Sequence, residues 1–210
     1  MFERFDSIRI INLASRGDRR RQMRHELRRV GLAQDCRVAF INAVRPDKAQ
    51  PWRKIGERCC FLSHLSILEA AFADRYSVLI LEDDADFTAA SAQPPPSVDV
   101  LWGGHTCQPG WIEHAHCMGF SAKAVARLVP FLRDLKQQPS PPPIDGAYVD
   151  FLQANSDLTV HFCNPAVALQ RPSVSDIAGA HRIDTLPLAR PFVAVLRQVK
   201  REWQRRYRRS

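Results

Sequence analysis

The stretch that most restricts the fold of this chain is the apolar run Val78–Leu81, which leads directly into the carboxylates of Glu82, Asp83 and Asp84. Such a run is typical of a strand buried on both faces of a sheet. In open α/β sheets, ligands bind just beyond the carboxyl ends of strands of this kind. Adjacent carboxylates repel one another, and hard cations such as Mn²⁺ or Mg²⁺ offset that repulsion through oxygen ligands. We therefore predict a metal site that holds a phosphate-bearing substrate. The alternative is that polar residues merely end the strand.

Composition is that of an ordinary soluble globular protein, with 45% hydrophobic and 25% charged residues in a chain of 210. This length suits one α/β domain with a sizeable core. No stretch reaches the roughly 20 apolar residues that a membrane span needs. The first residues also lack the basic and apolar segments of a secretory signal. The cysteines show no zinc-site spacing. We expect them to be reduced and structural, in a cytoplasmic protein.

Hydrophobic periodicity predicts alternating strands and helices along most of the chain. The predicted strands are 7–13, 37–43, 78–81, 98–102, 117–120 and 158–162. The predicted helices are 18–30, 56–73, 122–135 and 145–154, and the chain from 163 to 191 is expected to be irregular. This alternation favours a mostly parallel, doubly wound sheet with substrate loops along one edge.

The turn after the first predicted strand places polar and basic side chains at that same edge. Asn12 ends the strand, and Arg16 and Arg19 flank the start of the next helix. A helix N-terminus together with guanidinium groups favours an anionic group such as a diphosphate. For Arg19 the alternative is a solvated helix face, whereas Arg16 lies in the turn itself. We take Asn12, Arg16 and Arg19 as candidate substrate-binding residues.

Sequence blocks in a fixed order resemble glycosyltransferase family 25, the lipooligosaccharide (LPS) biosynthesis and collagen galactosyltransferase-like group. The blocks are Ile11–Leu13 with Arg16, Asp18–Arg20 and Met23; Gly56–Glu57 with Cys60 and Leu62–His64; Leu79–Asp84 with Phe87; and Gly119–Ser121, the helix after it and Pro143–Asp145. The resemblance implies a GT-A-like fold, that of the nucleotide-diphospho-sugar transferases. It also implies inverting transfer of a hexose, galactose first among them, from a donor such as a UDP-hexose. The acceptor would be a glycan or a lipid-linked sugar in cell-surface polysaccharide synthesis.

The resemblance implies that the acidic triplet is the counterpart of the family's D-x-D motif, which binds Mn²⁺ or Mg²⁺. Glu82 and Asp84 would face the metal and the donor, and Asp83 would turn away by strand alternation. Asp84, Ala85 and Asp86 also spell D-x-D, so Asp86 remains a candidate ligand.

An inverting displacement needs a base that deprotonates the acceptor hydroxyl. Asp145 is the candidate because the proline-rich segment before it sets it at the start of a helix. Its alternative role is a helix cap, worth about 1 kcal/mol. Asp150 lies more than one turn further along and is the poorer choice.

Further candidates for substrate binding are Ser63, His64 and Gly104. Ser63 and His64 lie on an apolar helix, where a core role is the alternative, and Gly104 follows the strand that ends at Trp102. Trp102 and Trp111 could stack on a sugar ring or pack in the core.

The basic character of the chain is concentrated in its last residues, so we divide it into a glycosyltransferase domain (1–180) and a basic tail (181–210). From Arg190 onward there are eight Lys or Arg against the single acid Glu202, which gives +7 of the total +8. Apolar residues recur at helical spacing there: Phe192, Val195, Leu196, Val199, Trp203 and Tyr207. This pattern is typical of an interfacial helix on an anionic membrane. We expect peripheral docking on the inner face of the cytoplasmic membrane and no nucleic-acid partner, although a nucleic-acid-binding tail is the alternative.

Two other classes of protein are alternatives to an enzyme. A response-regulator receiver domain has a similar acidic strand end, but here some 77 residues precede the strand and the next strand ends in glycines. A non-catalytic membrane- or nucleic-acid-binding module would use the acids as structural groups only.

Overall fold

A computed structural model describes residues 1–89, 95, 97–108 and 111–171, which include every helix and strand named here. The strands are β1 (Ser7–Asn12), β2 (Val38–Asn42), β3 (Val78–Glu82), β4 (Ala85–Phe87), β5 (Val100–Trp102), β6 (Thr106–Gln108), β7 (Trp111–Glu113), β8 (Cys117–Phe120), β9 (Val160–Phe162) and β10 (Ala168–Gln170). The α-helices are α1 (Gly17–Arg29), α2 (Ile55–Asp74), α3 (Ala122–Lys136) and α4 (Ile144–Ala154). They belong to one unit, Met1–Gln170.

A six-stranded sheet with the order β2-β1-β3-β8-β5-β9 forms the centre of this unit. β1 runs parallel to β2 and to β3, and β5 runs parallel to β9. β8 is antiparallel to both of its neighbours, β3 and β5. The predicted α/β class with a mostly parallel sheet is confirmed, and the arrangement is consistent with a GT-A-like fold.

The inner strands of the sheet are largely buried on both faces, as their apolar sequences predict, whereas the edge strands β2 and β9 are only partly buried. Val78 and Ile80 of β3 belong to a core shared with α2, α3 and α4. Leu79 and Leu81 point the other way, into a core shared with α1, β4 and β10. Alternation along β3 therefore fills two apolar layers, one on each side of the sheet.

Local signals set the ends of the helices. Met23 and Leu27 form the buried apolar stripe of α1. Gly31 lies just after the end of this helix and has a φ of +80°. A positive φ strains residues that have a Cβ atom, so glycine is the natural stop signal there. At the start of α3, Ser121 Oγ accepts a hydrogen bond from the Ala124 amide at 3.1 Å.

The reversed direction of β8 brings its first residues to the edge of the sheet where the candidate site lies. Because β8 is antiparallel, its first residue, Cys117, lies at the edge where β3 and β5 end. The indole of Trp52, just before α2, donates a hydrogen bond to the Pro142 carbonyl at 3.1 Å, just before α4. This contact brings the segments that precede α2 and α4 together.

Four short strands were not predicted. β10 pairs antiparallel with β4, and β6 pairs antiparallel with β7. β10 lies in the stretch expected to be irregular. Strands of three residues carry too little periodicity to be recognised in a sequence.

Residues 181–210, the predicted basic tail, lie outside the described part of the chain, so the tail and its amphipathic helix stay predictions. Among the described helices, none has the length and apolarity needed to span a bilayer.

Candidate active site

Polar and charged residues meet at the edge formed by the ends of β1 and β3. Asn12 ends β1 and is buried, and its side-chain amide donates a hydrogen bond to Asp83 Oδ2 at 2.6 Å. The same amide also reaches the Arg16 carbonyl at 3.3 Å. Asn12 therefore connects the end of β3 to the loop before α1.

Arg19 projects from the first turn of α1 onto the acidic triplet. Its guanidinium lies 3.0 Å from Asp83 Oδ1 and 3.4 Å from Asp84 Oδ2. These side chains are largely buried, with 12% of Arg19 and 7% of each aspartate exposed. The expected rotation of Asp83 away from the site does not occur, because residues 83 and 84 form a turn and not a continuation of the strand. Strand alternation ends at Glu82.

Asp84 is a carboxylate whose ionisation is strongly perturbed. Burial raises its pKa to about 7, reinforced by the charges of Glu82 and Asp83 and opposed by Arg19 and Gln170. Its Oδ1 atom is buried without a hydrogen-bond partner among the described residues. A buried oxygen of this kind, beside two other carboxylates, fits a hard divalent cation such as Mn²⁺ or Mg²⁺.

Glu82 faces a different set of partners. Its Oε1 atom lies 3.4 Å from His64 Nε2 and 3.4 Å from Cys60 Sγ. Burial opposes the ionisation of Glu82, but His64, with help from His116 and Cys60, holds its pKa below the ordinary value. On its other side, His64 Nδ1 lies 2.8 Å from the Tyr148 hydroxyl.

Asp86 lies in β4, where it faces α1. Its side chain contributes to the lowered pKa of Glu26, and its charge helps to raise the pKa of Arg29. Glu26 in turn accepts a hydrogen bond from the Phe87 amide at 3.0 Å. Asp86 thus takes part in a network between α1 and β4, separate from the partners of Glu82.

The remaining substrate-binding candidates differ in how their polar groups are used. Ser63 is buried, and its hydroxyl donates to the Cys59 carbonyl at 2.7 Å and accepts from the Val44 amide at 2.8 Å. Arg16 pairs with Asp18 at 3.0 Å in the loop before α1. Ser63 therefore positions the loop after β2, whereas Arg16 lies at the helix N-terminus where we expected it.

Asp145 occupies the first turn of α4, as the sequence indicated. It is partly exposed, and its Oδ1 atom accepts a hydrogen bond from the Gly146 amide at 3.0 Å. Burial raises the pKa of the Cys60 thiol, and the charges of Glu82 and, to a smaller extent, Asp145 raise it further. Asp150 is exposed, further along the same helix.

Gly104 and His116 pack closely beside the acidic turn. A Cβ atom on Gly104 would lie 2.0 Å from the Ala168 carbonyl oxygen and 2.5 Å from His116 Nε2. His116 is buried, and its Nε2 atom lies 3.1 Å from the same carbonyl. Burial lowers the pKa of His116, which keeps the ring neutral near Glu82.

Trp102 is a core residue. It is fully buried, stacks on Phe162 with 5.6 Å between ring centroids, and donates to the His114 carbonyl at 2.7 Å. Trp102 therefore packs in the core and is not available to stack on a sugar ring. The side chain of Trp111 lies outside what the structure describes.

Sequence reasoning missed Cys60, Tyr148 and His116 as site residues. The spacing of Cys60 and His64, four apart on one helix face, was a signal that could have paired them. His116 could not be found in this way, because nothing in the sequence shows that β8 is reversed and begins at this edge.

Comparison with known proteins finds a family similarity for the first part of this arrangement. Residues 5–93 match the model of Glycosyltransferase family 25, described as LPS biosynthesis protein. A search of curated proteins found no match to the chain. The matched segment runs from β1 to β4, and it includes Asn12, Arg19, His64 and the acidic residues 82–86. Over residues 5–93 the chain is therefore similar to glycosyltransferase family 25, in agreement with the motifs in its sequence.

Proposed function

We propose that this protein transfers a hexose, with galactose as the first candidate, from a nucleotide sugar to a glycan or lipid-linked acceptor during cell-surface polysaccharide synthesis. The family match supports sugar transfer in LPS biosynthesis. The observation that carries the proposal is the surplus of negative charge at the end of β3. Glu82, Asp83 and Asp84 are adjacent, and the guanidinium of Arg19 contacts two of them.

That surplus favours a divalent cation, Mn²⁺ or Mg²⁺, as the cofactor. Asp84 is its principal ligand in this proposal, because its Oδ1 atom is buried without a partner among the described residues. Glu82 and Asp86 are retained as further ligands, although the first contacts His64 and the second faces α1. When bound, the cation would neutralise the diphosphate that leaves the sugar.

The N-terminal turn of α1 is the proposed site for the donor's diphosphate. Helix N-termini attract anions through their unpaired amides, and Arg16 and Arg19 add positive charge there. Arg19 already contacts Asp83 and Asp84, so one guanidinium can bridge the acids and the diphosphate. Asn12 keeps Asp83 in place through its hydrogen bond.

Asp145 is the proposed general base. In an inverting step it would take the proton of the acceptor hydroxyl while the acceptor oxygen bonds to the anomeric carbon. The bond from that carbon to the diphosphate oxygen breaks at the same time, and the nucleoside diphosphate departs with its electron pair. The hydrogen bond between Trp52 and the Pro142 carbonyl positions the segment that carries Asp145.

The proposal is tested by UDP release from UDP-galactose in the presence of Mn²⁺, with a panel of other nucleotide sugars alongside. Asp84→Asn should lower the rate by about 10²-fold or more, because it removes charge that the transition state needs. Asp134→Asn, at an exposed position on α3, is the matched control and should leave the rate unchanged. Wild-type rates retained by Asp84→Asn would rule out this role. The absence of any nucleotide-sugar effect in either protein would instead favour a binding module.

A further inference from the structure

Three metal-binding side chains of different chemistry converge beside the acidic turn. Cys60 and His64 lie one turn apart on α2, and Glu82 ends β3. Cys60 Sγ and His64 Nε2 are each 3.4 Å from Glu82 Oε1, and all three atoms lie within 4.8 Å of one another. The thiol, the ring nitrogen and the carboxylate oxygen thus face a common point.

These separations approach those of a tetrahedral zinc site. Zinc bonds to sulfur at about 2.3 Å and to nitrogen or oxygen at about 2.0–2.2 Å, so ligand atoms at the tetrahedral angle are about 3.3–3.7 Å apart. The two measured contacts to Glu82 fall in that range. The third pair, Sγ and Nε2, lies within 4.8 Å.

The surroundings of the three residues also suit a bound ion. The Tyr148 hydroxyl lies 2.8 Å from His64 Nδ1, so its oxygen can accept a hydrogen bond from Nδ1–H and leave Nε2 free to coordinate. Hydrogen bonds of this kind orient metal-binding histidines. His64 is fully buried, whereas the Glu82 side chain is 18% exposed, which leaves one side of the site open for a water or another fourth ligand.

We propose that Cys60, His64 and Glu82 bind a thiophilic divalent cation of the zinc class. On binding, the Cys60 sulfur forms the metal bond and its proton passes to solvent. The site differs from the proposed donor site at Asp84, where the expected ligands are oxygen atoms alone. Thiolate and imidazole ligands select zinc-like ions, whereas carboxylates and phosphates select Mn²⁺ and Mg²⁺. Glu82 is the residue that the two proposed sites share, and its Oε1 atom is the one that faces Cys60 and His64.

The test is a titration of the reduced, metal-free, full-length protein with Co²⁺, followed by displacement with Zn²⁺. We expect one equivalent of Co²⁺ to produce a thiolate-to-cobalt absorption band and the intense visible bands of a tetrahedral ion, both lost on addition of Zn²⁺. Cys60→Ser should abolish the thiolate band. Cys59→Ser, one position earlier on α2, is the matched control and should retain it.

Two further variants separate this site from folding and from the proposed activity. Tyr148→Phe should weaken Zn²⁺ binding by about 10-fold or more, because the His64 ring loses its hydrogen-bond partner. Asp84→Asn should keep the cobalt band even though it impairs donor turnover. A wild-type protein without the stoichiometric band, or a Cys60→Ser variant that folds by circular dichroism and keeps the band, would overturn the proposal.

Discussion

Asp84 is a buried carboxylate whose ionisation is unfavourable in the folded protein. Its pKa of about 7 compares with 3.8 for an ordinary aspartate, and the largest cause is burial. The folded state therefore holds the proton more tightly than the unfolded state does. The resulting destabilisation is complete above pH 7 and declines as the pH falls from about 7 toward 3.8, the reverse of the behaviour of a salt-bridged aspartate.

Asp84→Asn should accordingly stabilise the metal-free protein at pH 8, by on the order of 2 kcal/mol. The gain should shrink as the pH is lowered toward 4, since the wild-type carboxyl is then protonated in the folded state and begins to be protonated in the unfolded state. Urea unfolding in a chelating buffer across this pH range measures the difference. Asp134→Asn, which is exposed, should show no such trend. A gain that is constant with pH would contradict the assigned ionisation.

Asp145 and Asp150 offer a matched pair of carboxylates on α4. Asp145→Asn should lower kcat by about 10²–10⁴-fold, the usual contribution of a general base, with little change in KM for the donor. Asp150→Asn makes the same substitution at an exposed position more than one turn further along the helix, and it should retain the wild-type kcat. Steady-state kinetics with donor and acceptor varied separately would show it. Equal losses in both variants would point to an effect on the helix.

At the scale of elements, β5 and β10 approach so closely that only glycine fits between them. A Cβ atom on Gly104 would overlap the Ala168 carbonyl oxygen and the His116 ring. Gly104→Ala should destabilise the protein by about 1–3 kcal/mol through overpacking, read as a lower urea midpoint. Gly17→Ala is the control, because a Cβ atom there meets its nearest neighbour, Arg21, at 3.6 Å. If both substitutions had the same effect, close packing at Gly104 would not be the cause.

The sequence predicted the elements of the central sheet better than it predicted the site. All six strands and all four helices around them were expected, because each carries an apolar run or a helical stripe. The direction of β8 has no signature in its own residues, so His116 was not expected near Glu82. The turn at residues 83–84 likewise interrupts the alternation from which the orientation of Asp83 was inferred.

The sequence indicated candidate site residues more readily than it indicated which of them are in contact. Asp145, Arg19 and the acidic triplet were named as candidates from residue type and position. Their partners were not, because contacts such as those of Asn12 with Asp83 and of His64 with Tyr148 join residues 71 and 84 positions apart. Such pairs depend on the tertiary packing of helices against the sheet.

At the scale of the whole molecule, the basic tail of residues 181–210 remains a predicted membrane anchor. Removal of Pro191–Ser210 should abolish co-sedimentation with anionic liposomes, since the segment carries +6 and an apolar stripe. A double variant, Trp203→Ala with Tyr207→Ala, keeps every basic residue and should also weaken liposome binding. Undiminished liposome binding by the truncated protein would refute the anchor. Liposome binding unaffected by the double variant would favour the nucleic-acid alternative.

The reversed strand β8 separates two groups of parallel strands, β2-β1-β3 on one side and β5-β9 on the other. β1, β2 and β3 come before residue 93, where the family match ends, whereas β5, β8 and β9 come after it. The proposed nucleotide-sugar residues Asn12, Arg19 and Asp84 belong to the first half, and the proposed base Asp145 belongs to the second. In the proposed mechanism, substitutions around β5, β8 and β9 can therefore alter acceptor recognition while the proposed donor residues before β8 stay the same.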